Sequence, residues 1–126
     1  MTAADPAITR VFDVLVARFP SQPTDQAVDE LRAAVLSEIE ESNPNGVVLD
    51  ISGVNTLDSF FARVIAETAA MVELMGGTAI VAGMRPSVAI TAAELGFDLG
   101  GVETARDTDH ALSQLGVRAA EETRNE

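Results

Sequence analysis

Short apolar strands that alternate with amphipathic helices predict an α/β fold: a mostly parallel sheet with an N-terminal strand pair and about four helices packed against it. Two runs carry this prediction. Gly46-Val-Val-Leu-Asp-Ile51 and Thr78-Ala-Ile-Val-Ala82 are almost continuously apolar, as strands covered on both faces are. Between them, Phe61, Val64, Ile65, Thr68, Val72 and Met75 recur at helical spacing, with Arg63, Glu67 and Glu73 off the stripe. A strand, a helix and a second strand in that order imply a right-handed crossover and parallel pairing.

The other elements follow in order. Ile8 to Arg18 is rich in β-branched residues and partly alternates, so it reads as one or two short strands with Asp13 as the turn. Phe19-Pro-Ser-Gln-Pro23 interrupts the pattern, and Thr24 or Asp25 then caps a helix whose apolar positions are Val28, Leu31, Val35 and Ile39. Asn43-Pro-Asn-Gly46 stops it. The central helix starts near Ser59 and ends at Gly76-Gly77. After Gly83-Met-Arg-Pro86, with proline at a first helical position, a third helix runs from about Ser87 to Leu95 and stops at Gly96. Val102 to Ala105 is a last short strand, and Asp107 or Thr108 caps a helix carrying Ala111, Leu112 and Leu115.

Composition narrows the class. The 126 residues are expected to form a single domain, with a core at about 8–116 and flexible tails at 1–7 and 118–126. Hydrophobic residues make up 47% but aromatics only 4%, so the core must be aliphatic. The net charge is -12, and all eight basic residues are arginine, scattered along the chain. A phosphate backbone would repel such a surface, which argues against nucleic acid as a partner. With no cysteine, disulfides and thiolate metal sites are excluded. The N-terminus lacks the pattern of a signal peptide, and no apolar run is long enough for a membrane span, so a soluble cytoplasmic domain without a metal or cofactor is expected.

The strand from Val47 to Ile51 leads into a loop ending in Asp58-Ser59, at the start of the central helix. A helix N-terminus gathers unpaired N–H groups and the positive end of the dipole. Either Asp58 or Ser59 simply caps the helix, or Ser59 is a phosphorylation target; the local residues leave both open. A nucleophile elbow needs glycines around the serine and a histidine partner. Ser59 lies between Leu57-Asp58 and Phe60-Phe61, and the only histidine is His110, near the end of the chain, so that reading fails. Asp50 is a candidate phospho-acceptor of the receiver kind, but the chain has no lysine and Asp13 has no acidic neighbour. Asp50 reads instead as a strand-end carboxylate bonded to loop amides. His110 reads as a surface residue, and Gly76-Gly77 and Gly100-Gly101 as helix terminators. Arg85, in the turn before Pro86, is either a contact for a partner or phosphate or a solvated turn residue.

Several segments together resemble a known family. Gly46-Val-Val-Leu-Asp-Ile-Ser-Gly-Val54, Asp58-Ser59-Phe60, Leu74-Met-Gly-Gly77, Val81-Ala-Gly-Met-Arg-Pro-Ser-Val-Ala89 and Glu94-Leu-Gly96 follow, in order and spacing, the STAS domains of anti-sigma-factor antagonists. Within that family they are most similar to the RsbS-like stressosome proteins. Sporulation-type antagonists carry Asp-Ser-Ser-Gly where this chain has Asp58-Ser59-Phe60-Phe61, and RsbR-type co-antagonists carry threonine behind a sensory domain. The resemblance implies a non-enzymatic scaffold that sequesters an RsbT-like serine/threonine kinase together with RsbR-like paralogues, in a homo- and hetero-oligomer. It implies phosphorylation at Ser59, reset by an RsbX-like phosphatase, and a partner-binding rim at Asn55, Asp58, Phe60, Arg63 and Arg85. Thr24 lies near a second phosphosite of RsbR-type paralogues; it reads first as a helix cap and second as a modification site. Two alternatives stand beside this: a sporulation-type antagonist that binds an anti-sigma kinase, and a small-ligand or nucleotide-binding α/β domain.

Overall fold

A computed structural model describes residues 7–96 and 102–116. Its strands are β1 (Ile8–Val11), β2 (Val14–Arg18), β3 (Gly46–Asp50), β4 (Thr78–Ala82) and β5 (Glu103–Ala105). The helices are α1 (Asp25–Ser42), α2 (Ser59–Leu74), α3 (Pro86–Glu94) and α4 (Thr108–Gln114). One sheet has the order β1-β2-β3-β4-β5. Among the described residues only the β1–β2 pair is antiparallel; Val14 opposite Gly46 and Gly46 opposite Thr78 set the parallel register of the centre.

Local chemistry accounts for the element ends. The hairpin turns through Phe12-Asp13, with Phe12 at φ +54° and 62% exposed. Left-handed backbone is costly for a bulky residue, and Arg10 braces the turn by donating to the Phe12 carbonyl and the Asp13 carboxylate. The Thr24 hydroxyl accepts from the Ala27 N–H and caps α1. Asn43, at φ +51°, ends that helix by donating its own N–H to the Ile39 carbonyl.

The pleat divides the core in two. Leu15, Ala17, Val47, Leu49, Ala79 and Val81 face α1, α2 and α3, where the apolar stripes of the first two helices fill the larger layer. Val14, Val16, Val48, Ile80 and Ala82 face the opposite way and pack with Ala111 of α4, with Leu112 and Leu115 half-buried beside them. All five residues of β3 are buried, as its unbroken apolar run requires. At the top of the larger layer, Phe19 and Phe61 pack with ring centroids 5.4 Å apart.

Three boundaries differ from the sequence reading. Met75 lies beyond the last residue of α2 and is 47% exposed, because the chain turns there through Gly76 at φ +97° instead of completing the stripe. The third helix, with Pro86 at its first position, ends at Glu94 rather than Leu95, and the last strand starts at Glu103, one residue after Val102. Gly100-Gly101 and the expected tails, apart from Ala7, lie outside the described residues.

Leu49 sits in the central strand with no exposed surface. Leu49→Ala is expected to lower the unfolding free energy by about 2–5 kcal/mol, measured by urea denaturation with an unchanged m-value.

Candidate functional site

Parallel strands deliver their C-terminal ends, and the loops that follow, to one rim of the sheet. The β3–α2 loop, residues 51–58, crosses this rim. It follows Asp50, the last residue of β3, which is 3% exposed. One carboxylate oxygen accepts the Ser52 N–H at 2.9 Å. The other accepts the Thr108 hydroxyl at 3.0 Å and lies 3.4 Å from Arg18 Nε. Asp50 thus ties β3 to its neighbour β2, to its own following turn and to the start of α4. The loop-amide bond is the one expected from sequence. The Thr108 and Arg18 contacts, across 58 and 32 positions, leave no local trace in it.

Further along, the loop is held from both sides. The Asn55 N–H donates to the Ser21 carbonyl in the β2–α1 connection at 3.2 Å. On the other side Arg85 donates from Nε to the Ser52 carbonyl at 2.9 Å and from Nη1 to Asn55 Oδ1 at 3.0 Å. The exposed Arg85 is therefore engaged within the chain, which neither sequence-level reading of it foresaw.

Asp58 and Ser59 divide their roles. Asp58 is the N-cap of α2, and its carboxylate accepts the Phe61 N–H at 2.8 Å. Ser59 is the first helical residue and exposed, and among the described residues its hydroxyl has no hydrogen-bond partner. Exposed Arg63 follows one turn later on the same helical face. Phe60 is half-buried against the main core. Of the expected rim residues, Asn55 and Arg85 are thus committed to each other, Asp58 to the helix cap, and Phe60 largely to the core.

The rival constellations are not brought together. Asp13 lies in the β1–β2 turn, at the opposite end of the sheet from Asp50. His110 accepts the Arg106 N–H on Nδ1 at 3.0 Å, and its Nε2 lies 3.2 Å from Gln114 Nε2, so it braces the first turn of α4. Among the described residues no group of three or more histidine or acidic side chains is placed to hold a metal. Next to the rim, a cleft of about 570 Å³ opens among Phe19, Pro20, Ala27, Leu31 and Gly53, with Arg18 and Glu30 at its border.

A family model for the STAS domain matches residues 5–111. The chain belongs to the STAS domain family. Among solved structures, a serine-to-glutamate variant of RsbS from Moorella thermoacetica has a TM-score of 0.77 and 34% identity, covering 86% of this chain and 92% of that one. A chain from a stressosome, described as a signal integration and transduction hub, also has a TM-score of 0.77, with 35% identity over 86% of this chain and 95% of that one. RsbRD of Bacillus subtilis, an RsbT co-antagonist protein, is 32% identical over 88 residues, which are 70% of this chain but 32% of that protein. The chain spans about a third of the length of that relative. The resemblance to RsbS-like stressosome proteins drawn from the motifs therefore extends to the whole architecture.

In this STAS domain the rim rests on an ionised carboxylate. Burial by itself raises the proton affinity of Asp50. Hydrogen bonds from the Ser52 N–H, the Ser52 hydroxyl and the Thr108 hydroxyl, together with the charge of Arg18, outweigh it and hold the carboxyl below the ordinary aspartate value. The folded state therefore gains from ionisation at any pH above that ordinary value. The gain is lost as the pH falls through the lower, folded-state value. Asp50→Asn is expected to be less stable at pH 7 by about 1–3 kcal/mol. It should also flatten the decline of stability between about pH 5 and pH 2, followed by thermal melts across that range.

Proposed function

We propose that this STAS domain is a phosphorylatable stressosome scaffold: it holds an RsbT-like serine/threonine kinase and releases it when Ser59 is phosphorylated. One observation carries the reading. The helix that starts at Ser59 is capped by Asp58, so Ser59 stands exposed on the rim, and among the described residues its hydroxyl has no structural bond to give up. An accessible hydroxyl without a packing or capping role suits a substrate of another protein's active site. The similarity to RsbS and to a stressosome chain supports the scaffold role, and the kinship with an RsbT co-antagonist supports the choice of kinase. The reading includes a single non-enzymatic domain, assembly with RsbR-like paralogues, reset by an RsbX-like phosphatase, and a cytoplasmic place. Among the described residues no helix is long and apolar enough to cross a membrane.

A phosphoryl group adds roughly -1.5 to -2 charges and three acceptor oxygens. The N-terminal end of α2 favours that charge, while Asp58 beside it opposes it. The free domain accommodates the modification, so its main consequence falls on a docked partner. An uncompensated charge at the centre of an interface costs roughly 2–5 kcal/mol. At 1.4 kcal/mol per tenfold in affinity, that amounts to about thirty-fold weaker binding or more. Thr24, whose hydroxyl accepts from Ala27, serves as a cap, and its modification is a secondary element of the proposal.

Incubation with an RsbT-like kinase and ATP, followed by peptide mass mapping, is expected to place the phosphate on Ser59, and Ser59→Ala should take up none. On co-purification with RsbR-like and RsbT-like partners, wild type and Ser59→Ala should retain the kinase and Ser59→Asp should lose it. Full labelling of Ser59→Ala, or equal retention by all three, would overturn the proposal.

A further inference from the structure

The loop that leads to Ser59 and the loop that precedes α3 meet backbone to backbone. A Cβ on Gly83 would lie 2.7 Å from Ser52 Cβ and 3.1 Å from Ser52 Cα, and Gly83 has φ +82°. Only glycine permits this approach. It brings Arg85, two residues on, across the acceptor loop. There the guanidinium bridges the Ser52 carbonyl and Asn55 Oδ1, 2.9 and 3.0 Å away, at two points three residues apart. A planar fork spanning two acceptors fixes their separation as well as their position. As the N-cap residue of α3, Arg85 makes no side-chain cap bond; its side chain is spent on the neighbouring loop.

We propose that Arg85 is the positioning residue of the acceptor loop, holding residues 52–58 in the arrangement that offers Ser59 to a kinase. The inference rests on the reading of Ser59 as the phosphorylation site. With the clamp intact, the exposed loop enters the kinase site already ordered. Without it the loop samples other arrangements, and apparent affinity falls by the fraction of time it spends in the competent one. The cost therefore appears in KM, while the chemical step on bound acceptor is little affected. Arg85 and Asn55 act through one contact, so losing both is no worse than losing the arginine.

Two measurements on the full chain test this. In steady-state phosphorylation by an RsbT-like kinase, Arg85→Gln is expected to raise the KM for the acceptor about ten-fold and to keep kcat within about two-fold. Asn55→Ala should raise KM by a smaller factor, and the double variant should match Arg85→Gln. Hydrogen exchange in the absence of kinase should show the Val54 and Asn55 amides, bonded to the Ile51 and Ser21 carbonyls, exchanging about ten-fold faster in Arg85→Gln, with β3 and β4 unchanged. An unchanged KM, or effects that multiply in the double variant as for a direct kinase contact, would overturn the proposal. So would unchanged loop exchange. If the kinase leaves wild-type Ser59 unlabelled, the phosphorylation reading fails, and the exchange experiment still decides whether Arg85 clamps the loop.

Discussion

A carboxylate taken out of water at the end of a central strand must be paired, and this constraint shapes the upper rim of the domain. Left unpaired, Asp50 would take up a proton or destabilise the fold. Its partners come from three directions: Arg18 from β2, the Ser52 amide from the loop, and Thr108 from the start of α4. Each bond that satisfies the charge also locates an element. The α4 link matters most, because α4 is a seven-residue helix and, among the described residues, the one helix that packs on the second sheet face. A helix so short has little stability of its own. Apolar packing of Ala111, Leu112 and Leu115 sets its distance from the sheet, and Thr108 on Asp50 fixes its end.

Asp50 anchors the start of the β3–α2 loop, and the cap of α2 closes its far end. Side chains at both Asp58 and Ser59 can cap a helix. The structure gives the task to Asp58 and moves Ser59 one position into the helix, where it is exposed and, among the described residues, its hydroxyl takes no hydrogen bond. Had the register been one residue later, the serine would itself be the cap, and modifying it would remove the bond that starts α2. Capping by the acid separates the stability of the helix from the chemistry of the serine. The cost is a negative charge next to any phosphate, offset in part by the helix dipole and by Arg63 one turn along the same face.

The strands and helices were legible because their signals are local. The unbroken apolar runs of β3 and β4, the four apolar positions of α1 and the stops at Asn43 and Gly76-Gly77 each follow from neighbouring residues. Met75 was misplaced because periodicity continues on paper past the point where a left-handed glycine ends the helix. The rim was legible only at Asp58-Ser59 and in the loop-amide bond of Asp50. Arg85 reads in sequence as either a partner contact or a solvated turn residue, and its role within the chain is hidden because its acceptors lie 30 and 33 positions back. The donation from Thr108 to Asp50 spans 58 positions. His110 looked idle for a different reason: it acts as an acceptor for a backbone amide, a role that no sequence pattern marks. Contacts of this kind exist only once the strand order has brought the loops together.

The bracing of the rim also bears on how a phosphate on Ser59 would act. The loop is anchored at Ser52 by Asp50, at Asn55 by the Ser21 carbonyl and Arg85, and at its end by the Asp58 cap. A new dianion would have to break several of these bonds at once to move the backbone, each worth about 0.5–1.5 kcal/mol or more where a charge takes part. Against that, its repulsion from Asp58 is screened at an exposed position. Leaving the backbone in place and changing the charge of a fixed surface is the less costly response. On the proposed reading, the domain would switch partners without refolding, because the docked partner, and not the domain, would meet the uncompensated charge.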